Sequence, residues 1–179
     1  MKKTYSILQL NHIICALAIT LPLLSMSQFT GDYAQENWTF TSQDLTGQTA
    51  DGSIDLSNMP IGFTIAGNDD GLTGANSLYT ITVPADGTLK FRWSYTTDDG
   101  PQYDRAGYNL NGEFFELTDQ EEGSEQEGDQ HVDVVAGDVF SFVMDATDAC
   151  CGRGFLTIEA FSTADNTLQT LDPISNVFS

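Results

Sequence analysis

Residues 88–95 read TLKFRWSY. Leu89, Phe91, Trp93 and Tyr95 fall on one side of an extended chain, and Thr88, Lys90, Arg92 and Ser94 on the other. Large apolar groups alternating with polar ones mark a strand with one buried face and one wet face. Similar runs occur at 61–66, 78–83, 139–145 and 155–161. Shorter ones lie at 38–41, 54–56, 106–110, 114–117 and 130–135. Beyond residue 27 no stretch holds a 3.6-residue period over helix length. Turn chemistry separates the runs: Pro84-Ala85-Asp86-Gly87, Ala136-Gly137-Asp138, and Asn111-Gly112, a two-residue hairpin signal. About ten short strands with such connections predict an all-β fold, an antiparallel two-sheet β-sandwich of the jelly-roll kind.

The first 27 residues read differently. Lys2 and Lys3 precede an apolar run at 13–24, and Ser25-Met26-Ser27 offers small residues for cleavage, as in an export signal. The run is shorter than the roughly 20 residues that a membrane span needs. The expected organisation is a signal peptide at 1–27, a sandwich at 28–162 and a tail or edge segment at 163–179. Export implies a secreted or cell-surface protein, and no later segment is apolar enough for the mature chain to enter a membrane.

Charge narrows the partners. The chain carries 26 Asp and Glu against 6 Lys and Arg, for a net −20. All the acids follow residue 27, where the basic residues are Lys90, Arg92, Arg105 and Arg153. Such a surface repels nucleic acid and anionic membranes. Residues 119–129 (DQEEGSEQEGD) hold no apolar side chain and read as a solvated loop. Cys150 and Cys151 are adjacent, which suits a vicinal disulfide in an exported protein better than a zinc site, since no Cys-x-x-Cys accompanies them.

Catalytic machinery is not legible. His131 is the one histidine after residue 27, and no Gly-x-Ser-x-Gly motif is present, so the chain reads as non-enzymatic. Acidic loops at strand ends are the clearer chemistry. Asp98, Asp99 and Asp104 sit on a Gly-Pro turn, and Asp145 and Asp148 follow another strand. Carboxylates gathered this way supply the hard oxygens that calcium takes. Tyr103 and Tyr108 lie beside the first acidic turn, with Tyr95, Phe114 and Phe115, and offer aromatic surface for a ligand.

The order of features resembles that of CUB domains, extracellular β-sandwiches of about this size. The opening FTGDYAQENW carries Phe29 and Tyr33, Asp98 or Asp99 precedes Tyr103-Asp104 and AGYNLNG, and FVMDATDACCGRGF ends on Gly154-Phe155. The usual paired cysteines of that family are missing. More loosely, the wording is similar to modules of large secreted bacterial surface proteins. The CUB resemblance implies that Asp98 or Asp99, Asp104, and Asp145 or Asp148 hold calcium. The expected function is thus a calcium-dependent adhesion or ligand-binding module facing an extracellular protein or glycan. A carbohydrate-binding module is the alternative, and a glycoside-active enzyme using paired carboxylates is a third.

Overall fold

A computed structural model describes residues 28–164, so the expected signal peptide and residues 165–179 lie outside the described residues. Ten strands follow two single 3-10 turns, Gly31–Tyr33 and Gln35–Asn37. They are β1 (Thr39–Asp44), β2 (Ser53–Asp55), β3 (Gly62–Ala66), β4 (Ala75–Thr82) and β5 (Gly87–Thr97). The second half supplies β6 (Asp104–Leu110), β7 (Glu113–Glu116), β8 (Glu125–Val134), β9 (Val139–Ala146) and β10 (Gly154–Ala164). Two antiparallel five-stranded sheets result, in the orders β1-β4-β9-β6-β7 and β2-β3-β10-β5-β8. The chain is an all-β two-sheet sandwich.

The pairing is nested. β6 pairs with β7, β5 with β8, β4 with β9 and β3 with β10. Ile65 faces Leu156, Leu78 faces Val143 and Phe91 faces Gln130, and these three pairs of residue numbers share one sum. The register therefore runs unbroken through three strand pairs, as in one long hairpin rolled into a barrel-like jelly roll. Its two arms stay hydrogen-bonded at the corners. Gly71 N–H donates to Ala149 O at 2.7 Å, and Val83 N–H to Asp138 O at 2.8 Å. At the tip, Asn111 and Gly112 take the positive φ values of 54° and 87° that a two-residue hairpin of primed type requires.

Alternation fills the space between the sheets. Leu89, Phe91, Trp93 and Tyr95 of β5 are buried against Phe140, Phe142 and Met144 of β9. Trp38 stacks on Tyr79 and Phe142 at centroid distances of 5.0 and 5.7 Å, and Phe29 stacks on Phe161 at 4.4 Å. Each such aromatic contact adds about 0.5–1.5 kcal/mol beyond area burial.

Two boundaries differ from the sequence reading. Residues 125–129, expected in the acidic loop, form the first half of β8, paired with Arg92–Thr96 of β5. An edge strand needs a buried partner on only one side, so an acidic composition does not prevent it from pairing. β10 also runs past residue 162, with Thr163 opposite Leu89 and Ala164 opposite Thr88.

Candidate functional site

The loops 67–74, 98–103 and 147–153 gather at one end of the sandwich, because the strands they join all finish there. Asp104 is the buried member of this end, only 2% exposed. Its Oδ2 accepts from Thr97 Oγ1 at 2.6 Å, and its carbonyl accepts from Tyr95 Oη at 2.6 Å. Burial pushes the Asp104 carboxyl up to about 6, and the charges of Asp99 and Asp148 push the same way. Hydrogen bonds from Thr97 and from Gly154 N–H pull back against them.

The other expected ligands divide. Asp99 N–H donates to Thr97 Oγ1 at 3.1 Å, and Asp98 is exposed with its backbone against Gly152. Asp148 is exposed and accepts from Cys150 N–H at 3.3 Å. Cys150 and Cys151 are joined as a disulfide in this loop. Asp145 belongs elsewhere: it pairs with Arg105 on the outer face of the first sheet, while Asp104, opposite Ala146, points inward. Strand alternation separates them, since neighbours along a strand face opposite ways. Among the described residues no three acidic, His or Cys side chains stand together as metal ligands.

The aromatic expectations divide as well. Tyr103 is 41% exposed at the loop end, and Thr147 N–H donates to its carbonyl at 2.7 Å. Tyr108 lies in the core at 7% exposure, stacked between Phe115 and Phe140, with its Oη accepting from Gln130 at 3.3 Å. Its place on β6, opposite Phe142, turns it inward toward the core.

The outer face of the first sheet carries a set that the sequence alone does not reveal. Gln43, Asn76, Asp145 and Arg105 lie side by side on β1, β4, β9 and β6, one row across four strands. At about 4.8 Å per strand the row extends over roughly 14 Å. Phe114 of β7 lies across Gly107, where any side chain would meet its ring, and Arg105 sits 5.6 Å from the ring centre. The guanidinium is thus held by a carboxylate on one side and an aromatic face on the other. Its Nε is buried and has no hydrogen-bond partner among the described residues. Four such residues are scattered over a hundred positions, and only the register brings them together. A sequence signal exists in the amide and charged side chains at outward strand positions, but it needs the pairing to be read.

A second feature is a cleft of about 670 Å³ beside the β5–β8 edge. Trp93, Tyr95 and Leu117 line it, as do Asp119, Glu122 and Glu125. His131 is exposed on β8 opposite Lys90.

No protein-family model, that of the CUB domains included, matches the chain, and no curated protein matches it in sequence. Solved structures do. The enzymatically active domain of bacteriophage CBA120 tailspike protein 4 aligns at 11% identity and TM-score 0.40, over 76% of this chain and 20% of that one. The chain thus spans a minor part of that protein. A family 35 carbohydrate binding module from Clostridium thermocellum aligns at 11% identity and TM-score 0.34, over 67% of this chain and 97% of the other. The N-terminal cellulose-binding domain of Cellulomonas fimi β-1,4-glucanase C aligns at 14% identity and TM-score 0.38, over 73% and 91%.

Proposed function

We propose that this chain is a non-catalytic, extracellular binding module whose ligand is a glycan held on the outer face of the first sheet. The observation that carries the reading is the row Gln43, Asn76, Asp145 and Arg105 beside the Phe114 ring. Amides, a carboxylate and a guanidinium offer both donors and acceptors, which is what a polyhydroxylated ligand exchanges. An aromatic face next to them accepts the apolar face of a sugar ring. A row of this length suits an oligosaccharide better than a single sugar. With a net charge of −20, neutral glycans are favoured over sulfated or uronic ones.

The test is a glycan array followed by affinity electrophoresis on soluble polysaccharides, using the native chain, Arg105→Ala and Asn76→Ala. Losing a charged hydrogen bond at about 1.5–3 kcal/mol should weaken binding by at least about tenfold, with the melting temperature checked in parallel. Retention of no glycan, or binding indifferent to both substitutions, would overturn the proposal.

Calcium is a second, separate part of the reading, placed at the loop end with Asp98, Asp99, Asp104 and Asp148 as oxygen donors. What supports it is the raised protonation range of Asp104, caused first by burial and then by its acidic neighbours, because a cation would relieve both. Against a preformed cage stands the separation of Asp145. Any site would have to assemble around the ion, and melting in calcium against magnesium decides the matter.

A further inference from the structure

The other sheet ends in a free edge at β8. β8 ends its sheet, so one side of this ten-residue strand pairs with no strand among the described residues. Glu125, Glu127, Asp129, His131 and Asp133 are exposed along it. Acidic residues on an edge ordinarily serve to discourage aggregation. The cleft beside this edge adds something that a protective edge does not need. Trp93 is only 7% exposed yet lines it, and its indole N–H finds no acceptor among the described residues.

Gly128 makes room for the indole that carries that donor. It sits directly opposite Trp93 in the β5–β8 ladder. A Cβ at this position would stand 2.9 Å from the indole Nε1 and 3.0 Å from two ring carbons. The bare backbone is what lets the ring lie against β8 while still lining the cleft. Around it stand Asp119, Glu122, Glu125 and Glu127, and the one cation engaged with this set is Arg92, bonded to Glu127 at 3.1 Å. Glu122 and Glu125 accept no hydrogen bond from a described residue.

We infer that the β8 edge and its cleft bind a basic, extended peptide segment of a partner protein. Three demands of such a guest are met together. Its main chain can add to the free edge by strand pairing, and one of its carbonyls can accept from the Trp93 N–H. Its alternate lysine or arginine side chains reach the rim carboxylates. A glycan would use the donor but leave the uncompensated carboxylates without counter-charge. An anionic guest would be repelled. This site is independent of the glycan face, which lies on the other sheet.

The probe is a labelled peptide of about eight residues alternating lysine and threonine, the spacing that puts every basic side chain on one face of a strand. Affinity is measured by fluorescence anisotropy for the native chain and three variants, with folding monitored by circular dichroism. Glu122→Gln with Glu125→Gln should weaken binding by at least about tenfold. Asp32→Asn with Glu36→Gln removes the same charge from exposed positions on the 3-10 turns and should cost less than about twofold by long-range attraction alone. Gly128→Ala changes no charge, displaces the Trp93 indole from its place in the cleft and should also weaken binding several-fold. If both charge pairs lower affinity alike, the peptide is responding only to the overall field and the inference fails. It fails equally if folded Gly128→Ala binds as the native chain does.

Discussion

Asp104 is where a single side chain decides a property of the fold. Burial, then the charges of Asp99 and Asp148, push its carboxyl up to about 6, against an ordinary range near 4. The folded chain therefore keeps a proton that the unfolded chain releases in that interval. At pH below about 4 both states are protonated and the group costs nothing. As pH rises through about 6 the folded state must hold a bare charge in a buried place, and stability declines. Two units correspond to about 3 kcal/mol. Asp104→Asn keeps a partner for Thr97 Oγ1 and removes the charge. It should melt several degrees above the native chain at pH 8 and alongside it at pH 4, in chelator. Equal losses at both values would show instead that the carboxylate itself is required.

Among the elements, β10 shows how far alternation can be followed and where it stops. Residues 155–161 read as a strand, and Leu156 and Ile158 are buried as that pattern requires. Strict alternation would put Phe161 on the same side as Glu159, toward solvent. The register shifts between Glu159 and Ser162, Ala160 takes φ 50°, and Phe161 swings into the core with no exposure. A bulge of this kind leaves no mark in composition when its left-handed residue is alanine. The first half of β8, residues 125–129, was illegible for a related reason: an edge strand facing water on one side reads like a loop. Each core strand was visible because its apolar residues are large and strictly spaced, and the Asn111-Gly112 turn announced its hairpin. The candidate site was less visible, since Arg105 with Asp145 and Trp93 with Gly128 meet only through register. Left-handed backbone costs a residue with a Cβ about 1–2 kcal/mol, of which glycine's greater unfolded freedom returns about 0.5–1. Ala160→Gly should therefore raise the urea midpoint, by a net gain of about 0.5–1 kcal/mol at unchanged slope. A lower midpoint would mean that the strand needs the alanine more than the bulge needs glycine.

At the level of the whole molecule, the jelly roll must close against its own charge. A net −20 is concentrated on a sandwich whose cations are few and mostly engaged: Arg92 with Glu127, Arg105 with Asp145 and Arg153 with Asp51. Exposed pairs of this sort are worth little individually, so the balance is set by repulsion among the remaining carboxylates. Raising monovalent salt from about 0.01 M to about 1 M shortens the screening length from about 30 Å to about 3 Å. The melting temperature should climb with that change and level off once screening falls below the spacing of neighbouring acids. Calcium and magnesium at matched ionic strength separate the general effect from a particular site. If the acids act only as a diffuse field, the two ions raise the melting temperature alike, and Asp104→Ala responds to them as the native chain does. An increment specific to calcium, abolished by that substitution, would mean that the loop end assembles around the ion. A flat response to every salt would refute self-repulsion as a limit on this fold and leave its acids to be explained by partners alone.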